Sequence, residues 1–199
     1  MEVIVSTRNR NKFKEISKIL KDSKIKAISL DHFPRAPRVK EDGKTLEENA
    51  AKKALRIAHF TKRLTVADDS GLMVDALNGA PGIYSARFAG NGATYKTNNE
   101  KLLKVLNGLP LKKRKARFIC CVAVADEDGI VDIVKGIYPG VIAKQLKGRN
   151  GFGYDPLFIS SRLGKTFAQL EPSVKNRISH RARAFAKAKK VILNYIKQK

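Results

Sequence analysis

The chain has 199 residues, a length that suits one packed domain, or one core with a smaller lobe, and is too short for two large domains. Hydrophobic residues make up 43% and charged residues 30%, a composition that is globular and excludes a disordered chain. No window approaches the roughly 18 consecutive apolar residues that a membrane span needs, and the formal net charge is +23.

The N-terminal part of the chain alternates between predicted strands and helices. Short β-branched runs predict strands, whereas apolar residues that recur three or four positions apart predict helices. Strands are expected at 3–6, 25–30 and 64–67, and helices at 13–20 and from Thr45 onward. The second helix begins at a capping box, because Thr45 is followed three residues later by Glu48. Prolines and a glycine mark 32–44 as a loop.

The C-terminal part contains a predicted hairpin and two further helices. An Asp-Gly turn separates two apolar runs, which is typical of a hairpin. Its strands are expected at 116–125 and 130–137, a third short strand at 157–159, and helices at about 102–106 and from about Ser179. Alternating elements followed by a hairpin predict an α/β protein with a mixed sheet. The sequence has no internal repeat.

The basic charge has three interpretations: nucleic-acid binding, a solvated surface, and electrostatic steering of anionic substrates. Its densest run is 112–117, which is predicted to be a loop that enters a strand. The segment 64–100 is acidic by comparison, and no RNP, zinc-finger or helix-turn-helix pattern accompanies the charge. We therefore expect a solvated surface and steering, with no specific nucleic acid as a partner and no membrane.

The cysteines and histidines predict neither a disulfide nor a zinc site. Cys120 and Cys121 are neighbours on a predicted strand, where adjacent side chains point to opposite faces. The three histidines are scattered, which is unlike a zinc-ligand pattern. The first residues also lack the pattern of a secretory signal, so a reducing, cytoplasmic location is expected.

A candidate phosphate site lies at Thr7–Lys12, between the first strand and the first helix. The free N–H groups and positive end of a helix, together with a lysine, favour a phosphate. An ordinary N-cap with a solvent-facing lysine would have the same pattern.

A candidate metal site follows the third strand. Asp68 and Asp69 are adjacent carboxylates, which are costly to hold together without a nearby cation. Carboxylate oxygens are the ligands that Mg²⁺ selects, usually in concert with substrate phosphates. Glu41, on the preceding loop, is a second candidate ligand. An Asx-turn with exposed carboxylates is the alternative interpretation.

Two further motifs are candidates for contacts with a flat ligand. The glycines of 151–156 would let the backbone approach such a ligand while Phe152 stacks on it. Arg181, in a Ser-His-Arg sequence with Lys175 upstream, offers fixed donors for a base edge or a phosphate. A buried connection and a surface cluster, respectively, are the alternatives.

Taken together and in order, these motifs resemble the Ham1-like inosine triphosphate pyrophosphatase family, the non-canonical purine nucleoside triphosphate pyrophosphatases. The matching positions are Thr7, Asn9 and Lys12, and the segments 45–54, 67–72, 79–82, 84–87, 151–156 and 179–181. The match departs from the family at Arg8 and Asn150, where glycine is usual. Arg8 brings charge and bulk to the first loop, whereas Asn150 is a mild change because asparagine tolerates positive φ.

The resemblance implies an enzyme that uses Mg²⁺ to hydrolyse ITP, dITP and XTP to the monophosphate and pyrophosphate, cleansing the nucleotide pool. It implies an elongated two-lobed α/β fold around a long mixed β-sheet with flanking helices, and the nucleotide between the lobes. It also implies a homodimer. We expect a single domain over 1–199 whose second lobe is contributed by about 112–145.

The resemblance also assigns roles residue by residue. The triphosphate would be held by Thr7, Asn9, Lys12 and Lys53. Mg²⁺ would be held by Glu41 and Asp69, with Asp68 in support, and Asp69 would also accept a proton from the attacking water. Ser70 would touch the substrate. The base pocket would comprise Phe152, Asp155, Lys175, His180 and Arg181, with Gly153 and Tyr154 as further substrate-binding residues.

Two alternative functions stay open at this point. A Maf-type pyrophosphatase for modified pyrimidine triphosphates is the alternative enzyme, but the motifs at 151–155 and 179–181 argue against it. A nucleic-acid-binding module would explain the basic surface, but it leaves Glu41, Asp68 and Asp69 without a purpose.

Overall fold

The computed structural model describes residues 1–21 and 25–198, so that 22–24 and 199 lie outside the described part of the chain. The strands are β1 Glu2–Val5, β2 Lys26–Ser29, β3 Thr65–Val74, β4 Pro81–Gly82, β5 Lys115–Ala125, β6 Ile130–Ile142 and β7 Phe158–Ser160. The helices are α1 Arg10–Leu20, α2 Leu46–Thr61, α3 Tyr95–Val105, α4 Pro172–Ile178 and α5 His180–Gln198.

The described strands form a mixed sheet in the order β2-β1-β3-β5-β6-β7, with β4 paired to β3. β1 is parallel to both β2 and β3, whereas β4 and β7 pair antiparallel with β3 and β6. Parallel strands require crossover connections, and α1 and α2 supply them here. The predicted α/β class with a mixed sheet and flanking helices is confirmed.

The register of β1 positions the first two candidate motifs. Val5 lies beside Val66 of β3, and the N–H of Ser6 donates to the carbonyl of Val66 at 2.8 Å. Because β1 and β3 run in the same direction, the residues that follow Val5 and those that follow Val66 lie next to each other. The Thr7–Lys12 loop and the Asp68-Asp69 pair therefore lie at the carboxyl-terminal end of the β1–β3 pairing.

The chain divides into two compact units. Unit 1 comprises Met1–Asp69, Cys120–Gly136 and Arg181–Lys199, and unit 2 comprises Ser70–Ile119 and Ile137–His180. The main core of unit 1 packs apolar residues of β1, β3 and β5 against α1 and α5. The core of unit 2 is rich in aromatic side chains, including Phe118, Tyr138, Phe158 and Phe167. The assignment of the second lobe to about 112–145 remains a prediction.

The main differences from the sequence-based prediction are three element boundaries and one additional helix. β3 continues to Val74 instead of ending at Ala67, and β6 continues to Ile142. Aspartate is depleted in strands, so the sequence predicted a loop at 68–71. In the structure these residues continue β3, because ion pairs with distant residues stabilise the two carboxylates there. The helix α4 was not predicted. The helix α3 begins at Tyr95, earlier than its apolar positions indicated.

The start of α2 confirms one half of the predicted capping box. The side chain of Thr45 accepts from the N–H of Glu48 at 3.1 Å. The carboxylate of Glu48, however, accepts from the backbone N–H of Lys44 at 2.6 Å, one residue before the cap. The helix therefore begins where predicted, with a modified cap.

The prediction that the basic run 112–117 is solvated surface is wrong for Arg114. Its side chain is buried, the residue being 2% exposed, and it donates to the carbonyls of Leu106, Ile142 and Ala143 at 2.7–2.8 Å. The neighbouring Lys112, Lys113 and Lys115 are exposed as expected. Charge in the sequence does not distinguish them, because burial depends on the strands that fold over this position.

Two negative predictions were also made for the described residues. Cys120 and Cys121 are buried thiols that are not joined to each other by a disulfide, as predicted. Over the described ranges 1–21 and 25–198, no helix has the length and apolar character needed to cross a membrane.

Candidate active site

The Thr7–Lys12 loop is ordered by its own side chains. The hydroxyl of Thr7 accepts from the N–H of Asn9 at 3.2 Å. Asn9 is the N-cap of α1, and its Oδ1 accepts from the N–H groups of Asn11 and Lys12 at 3.0 and 3.2 Å. These short-range bonds preorganise the loop and the helix N-terminus, where the backbone dipoles favour an anion.

Arg8, one of the two departures from the family pattern, links this loop to the next one. Its Nη2 donates to the carbonyl of Ala36 at 2.7 Å. Ala36 is buried and lies on the same loop as Glu41. The bulk of Arg8 is thus accommodated by a contact that links the phosphate-loop candidate to the segment that carries a candidate metal ligand.

Glu41 and Asp69 converge on one buried lysine, Lys53 of α2. The Nζ of Lys53 donates to Oε1 of Glu41 at 2.7 Å and to the carbonyl of Asp68 at 2.6 Å, and it lies 3.6 Å from Oδ1 of Asp69. A second bond anchors α2, because the hydroxyl of Ser6 donates to the carbonyl of Lys53 at 3.1 Å. The structure therefore brings together three predicted site residues from three segments of unit 1.

Burial and the neighbouring charges shift the pKa values of Glu41, Lys53 and Asp69 in opposite directions. Burial raises the pKa of Asp69, and nearby Glu41 adds to the increase against the pull of Lys53. Burial also acts to raise the pKa of Glu41, but Lys53 outweighs it and the pKa is lowered overall. The pKa of Lys53 is raised in spite of burial, because three carboxylates surround it. Asp69 is therefore the carboxylate of the group that takes up a proton most readily.

Asp68 points into a different environment from its neighbour. It is 1% exposed, and its Oδ2 lies 3.2 Å from Nζ of Lys12 and 3.3 Å from Nη2 of Arg181. Burial alone would raise the pKa of Asp68, but Lys12, Arg181 and Lys53 hold it well below its usual range. Asp68 is consequently an anion that joins α1, β3 and α5.

Arg181 lies in unit 1 and is also in contact with carboxylates. It is 2% exposed, and its Nη1 donates to Oε2 of Glu15 at 2.5 Å while Nε and Nη2 donate to Asp68 at 3.3 Å. Burial alone would lower its pKa, but Asp68 and Glu15 raise it. These contacts place Arg181 with the Lys12–Asp68 pair, and its base-pocket role stays a prediction.

The donor set of unit 1 fits a magnesium ion that is bound through few protein ligands. Glu41 and Asp69 supply hard carboxylate oxygens, and both already face a cation, the ammonium group of Lys53. Among the described residues, no group of three or more His, Cys, Asp or Glu side chains is arranged to hold a metal. Mg²⁺ usually keeps several waters and is bound by one or two carboxylates with substrate phosphates, which this pair satisfies.

In unit 2 the glycine-rich loop turns around the carboxylate of Asp155. Oδ2 of Asp155 accepts from the N–H of Phe152 at 2.9 Å and forms an ion pair with Lys175. Gly151 has a φ of +76°, and a Cβ at this position would lie 2.1 Å from Oδ2 of Asp155. Glycine is therefore required at 151 by both the backbone conformation and the space.

The ring of Phe152 borders the buried ammonium of Lys175. The Nζ of Lys175 lies 4.9 Å from the centre of the Phe152 ring and 5.8 Å from that of Phe167. A cation over an aromatic face is an attractive arrangement. Unit 2 thus presents a half-buried aromatic ring next to a lysine, and the contact of Phe152 with a flat ligand stays a prediction.

The remaining predicted residues, His180, Tyr154 and Ser70, belong to unit 2. His180 is buried and stacks on the ring of Phe118, with centroids 4.5 Å apart and planes 16° apart. The hydroxyl of Tyr154 donates to the carbonyl of Ser85 at 2.9 Å, and burial raises the pKa of Tyr154. Tyr154 therefore fastens its loop to the 84–87 motif. Ser70 is half-buried and lies within β3.

The sequence interpretation did not include Glu15 and Asn99, although both support predicted residues. Glu15 is the partner of Arg181, and Nδ2 of Asn99 donates to the carbonyl of Gly153 at 2.9 Å. The sequence could have indicated Asn99, because the consecutive asparagines 98–99 share the buried face of α3 with the apolar Leu102. Glu15 offers no such signal, since a half-buried glutamate on a surface helix is usual.

Fold and clusters together define a class of protein: an α/β protein that carries a carboxylate–lysine cluster suited to phosphates and a divalent cation, and an aromatic–lysine cluster suited to a planar ring. The sequence profile of the Ham1 family matches residues 3–191. The chain belongs to the Ham1 family.

Relatives and solved structures agree with this assignment. The chain is 47% identical over 192 residues to a dITP/XTP pyrophosphatase of Desulforamulus reducens, covering 96% of each chain. It is 47% identical to a dITP/XTP pyrophosphatase of Geobacter sulfurreducens, covering 92% of each. The solved HAM1 protein of Coxiella burnetii is 38% identical, with a TM-score of 0.87 over 98% of this chain and 99% of the other.

Proposed function

We propose that this protein is a nucleoside triphosphate pyrophosphatase that converts the non-canonical purine nucleotides ITP, dITP and XTP to monophosphate and pyrophosphate, cleansing the nucleotide pool. Membership of the Ham1 family supports the reaction class, and the relatives named dITP/XTP pyrophosphatase support the substrates. The observation that carries the proposal is the convergence of Glu41 and Asp69 on the buried Lys53.

The triphosphate is assigned to the cationic side of the unit 1 cluster. Thr7, Asn9 and Lys12 present the N-terminus of α1 and an ammonium group, and Lys53 adds a second ammonium. Preorganised positive groups stabilise the charge that develops on the phosphates during cleavage. Ser70, the residue after Asp69, is assigned a substrate contact.

The metal is assigned to the carboxylates of the same unit. Glu41 and Asp69 would hold Mg²⁺, and Asp68 would support them by keeping Lys12 in place. When bound, Mg²⁺ supplies neutralisation of the phosphate charge and orientation of the reacting groups. Two carboxylates are sufficient when the substrate phosphates complete the coordination.

Asp69 is assigned the role of proton acceptor. A water oxygen forms a bond to the α-phosphorus, the bond from that phosphorus to the bridging oxygen breaks, and pyrophosphate leaves. The proton of the water passes to the carboxylate of Asp69. Its position supports this role, because Oδ1 of Asp69 lies beside Lys53 in the cluster to which the phosphates and the metal are assigned.

The base is assigned to the donors and the aromatic ring of unit 2. Inosine and xanthine carry an acceptor oxygen at purine position 6, where adenine carries an amino donor. Lys175 and His180 would donate to that oxygen, Phe152 would stack on the ring, and Gly153, Tyr154 and Asp155 would shape the loop. A mismatched buried polar group costs about 1–3 kcal/mol, enough to disfavour adenine. Arg181 is proposed as a further base contact from its Ser-His-Arg motif.

Three further properties belong to the same proposal. The protein acts in the cytoplasm, a reducing compartment that suits its two buried thiols, and it acts as a homodimer, which the family resemblance implies. The surface charge of +23 steers anionic nucleotides and serves no specific nucleic acid.

A substrate panel tests the proposed reaction. Purified protein with Mg²⁺ is incubated with ITP, dITP, XTP, ATP, GTP and UTP, and pyrophosphate and orthophosphate are measured separately. We expect pyrophosphate from ITP, dITP and XTP, and far slower turnover of the others. Orthophosphate as the first product would contradict the proposal, because cleavage would then occur at the outer phosphate. Preference for a pyrimidine triphosphate would indicate the Maf-type alternative.

A further inference from the structure

Tyr95 is an exposed aromatic residue that touches the glycine-rich loop of unit 2. It is the first residue of α3 and is 44% exposed. Its ring centroid lies 5.9 Å from that of Phe152, with the planes inclined by 40°. This distance lies within the range of favourable aromatic contacts. No motif of the sequence interpretation includes Tyr95.

A buried amide holds the two aromatic residues in register. Nδ2 of Asn99 donates to the carbonyl of Tyr95 at 2.8 Å and to the carbonyl of Gly153 at 2.9 Å. Asn99 is itself buried. Because one side chain joins the first turn of α3 to the residue after Phe152, the position of the Tyr95 ring is tied through the backbone to that of Phe152.

The surroundings of Phe152 therefore combine two aromatic rings and one ammonium group. Lys175 lies over the ring of Phe152, and Tyr95 contacts the same ring. Aromatic platforms with a neighbouring cation are the chemistry that binds nucleobases through stacking, and each stacked base gains a sequence-tolerant contribution. The exposed part of Tyr95 extends this platform beyond the loop itself.

We propose that Tyr95 is a further nucleobase-contacting residue, which forms with Phe152 a two-ring platform that favours purines over pyrimidines. The inference rests on the proposed function, because it takes Phe152 as the stacking residue. A bicyclic purine covers more of a two-ring platform than a pyrimidine does, and the gain from apolar contact follows the area covered.

Exposed aromatic side chains are common, so the inference needs a matched comparison within the chain. Phe60 provides it: this aromatic residue is also 44% exposed, and it lies on a helix, α2, in unit 1. A general effect of removing a surface aromatic ring would appear equally at Phe60 and at Tyr95. An effect on the base would appear at Tyr95 alone.

The first test compares KM with kcat. In Tyr95→Ala we expect the KM for ITP to rise about five- to tenfold with little change in kcat, the lower end of the range for a lost stacking contact. Tyr95→Phe keeps the ring and should behave as wild type, as should Phe60→Ala. Equal KM values in Tyr95→Ala and wild type would overturn the inference.

The second test observes the base contact directly. The chain contains no tryptophan, so Tyr95→Trp and Phe60→Trp each introduce a single fluorescent reporter. Each variant is titrated with inosine monophosphate and, separately, with tripolyphosphate, which lacks a base. We expect quenching by inosine monophosphate in Tyr95→Trp, none by tripolyphosphate, weaker quenching by uridine monophosphate, and no change in Phe60→Trp.

The outcomes separate the inference from the proposed function. If Tyr95→Trp hydrolyses ITP with the wild-type KM and its fluorescence ignores inosine monophosphate, Tyr95 does not contact the base and the proposed function stands. If wild type releases no pyrophosphate from ITP, the proposed function fails, whereas the fluorescence titration still reports whether a purine binds beside Tyr95.

Discussion

The carboxylate–lysine cluster of unit 1 and the glycine-rich loop of unit 2 are built in opposite ways. The cluster draws on side chains from separate segments, and its longest link joins Glu15 to Arg181, 166 positions apart. The loop is contiguous, and Gly151 and the N–H of Phe152 both lie against the carboxylate of Asp155. The cluster therefore depends on long-range electrostatics, whereas the loop depends on local backbone geometry.

This difference suits the proposed division of labour. Adjacent carboxylates in different surroundings can differ in pKa, and here the pKa of Asp68 is lowered whereas that of Asp69 is raised. The glycine-rich loop, by contrast, fixes the position of the Phe152 ring through its backbone and needs no shifted pKa to do so. Removing members of the cluster should consequently change chemistry or stability, and removing members of the loop should change selection.

The largest effect is expected at Asp69. Asp69→Asn keeps the size of the side chain but removes the proton acceptor and an anion, so kcat for ITP should fall about 10²–10⁴-fold. Glu41→Gln is the matched variant: it should mainly weaken Mg²⁺ binding and be partly rescued by high Mg²⁺. Steady-state kinetics over a range of Mg²⁺ concentrations checks both. Near wild-type turnover of Asp69→Asn would refute the assignment.

The second effect concerns stability and separates the two adjacent carboxylates. Asp68→Asn removes one of the two carboxylates beside the buried Arg181, and Glu15 remains, so the free energy of unfolding should fall by less than the roughly 3–5 kcal/mol that an unpaired buried charge costs. The folded-state pKa of Asp68 is lowered, so its contribution is present above its unfolded pKa of about 3.9 and is lost as pH falls below that value. Wild type and Asp68→Asn should therefore converge in acid.

Asp69→Asn is the control for that measurement. The pKa of Asp69 is raised in the folded state, so its ionised form is disfavoured there and its removal should cost little stability at neutral pH. Urea unfolding of both variants from pH 7 down to the acid limit supplies the data. A pH-independent loss in Asp68→Asn would show that packing, and no ion pair, is responsible.

The third effect concerns selection of the base. If Arg181 contacts the 6-oxygen, as its motif suggests, Arg181→Ala should lower the ITP:ATP ratio of kcat/KM by about tenfold, the cost of one lost polar contact. Phe152→Ala should raise the KM for both substrates and leave the ratio unchanged. Glu15→Gln is the matched control, because it removes one of the two carboxylate partners of Arg181 and keeps the arginine itself. An unchanged ratio in Arg181→Ala would assign this arginine to Asp68 and Glu15 alone.

The smallest effect is expected from the exposed lysines next to Arg114. Replacing Lys112, Lys113 and Lys115 by glutamine should lower kcat/KM a few-fold at low salt, with kcat unchanged and the difference lost at high salt. Arg114→Gln, at a buried position, should instead lower stability, because three carbonyls lose their donor. Tight duplex DNA binding, lost in the triple variant, would favour the nucleic-acid alternative.

The sequence by itself determined the features that depend on near neighbours. The cap of α2 at Thr45 was predicted from a pattern of four residues. The cap of α1 at Asn9 and the need for glycine at 151 also depend on contacts within a few residues, although neither was predicted for that reason. Periodicity likewise indicated most of the strands and helices, and the order of motifs identified the family. Such features follow from local hydrogen bonding and side-chain spacing, which a linear pattern records.

Only the tertiary structure decided the features that depend on distant partners. It continued β3 through Asp68 and Asp69, buried Arg114 within an exposed basic run, and paired Arg181 with Glu15. The pKa of a side chain and its burial are set by the groups that surround it in space. Two identical aspartates in adjacent positions therefore acquire opposite pKa shifts, because neighbouring residues on a strand face different surroundings.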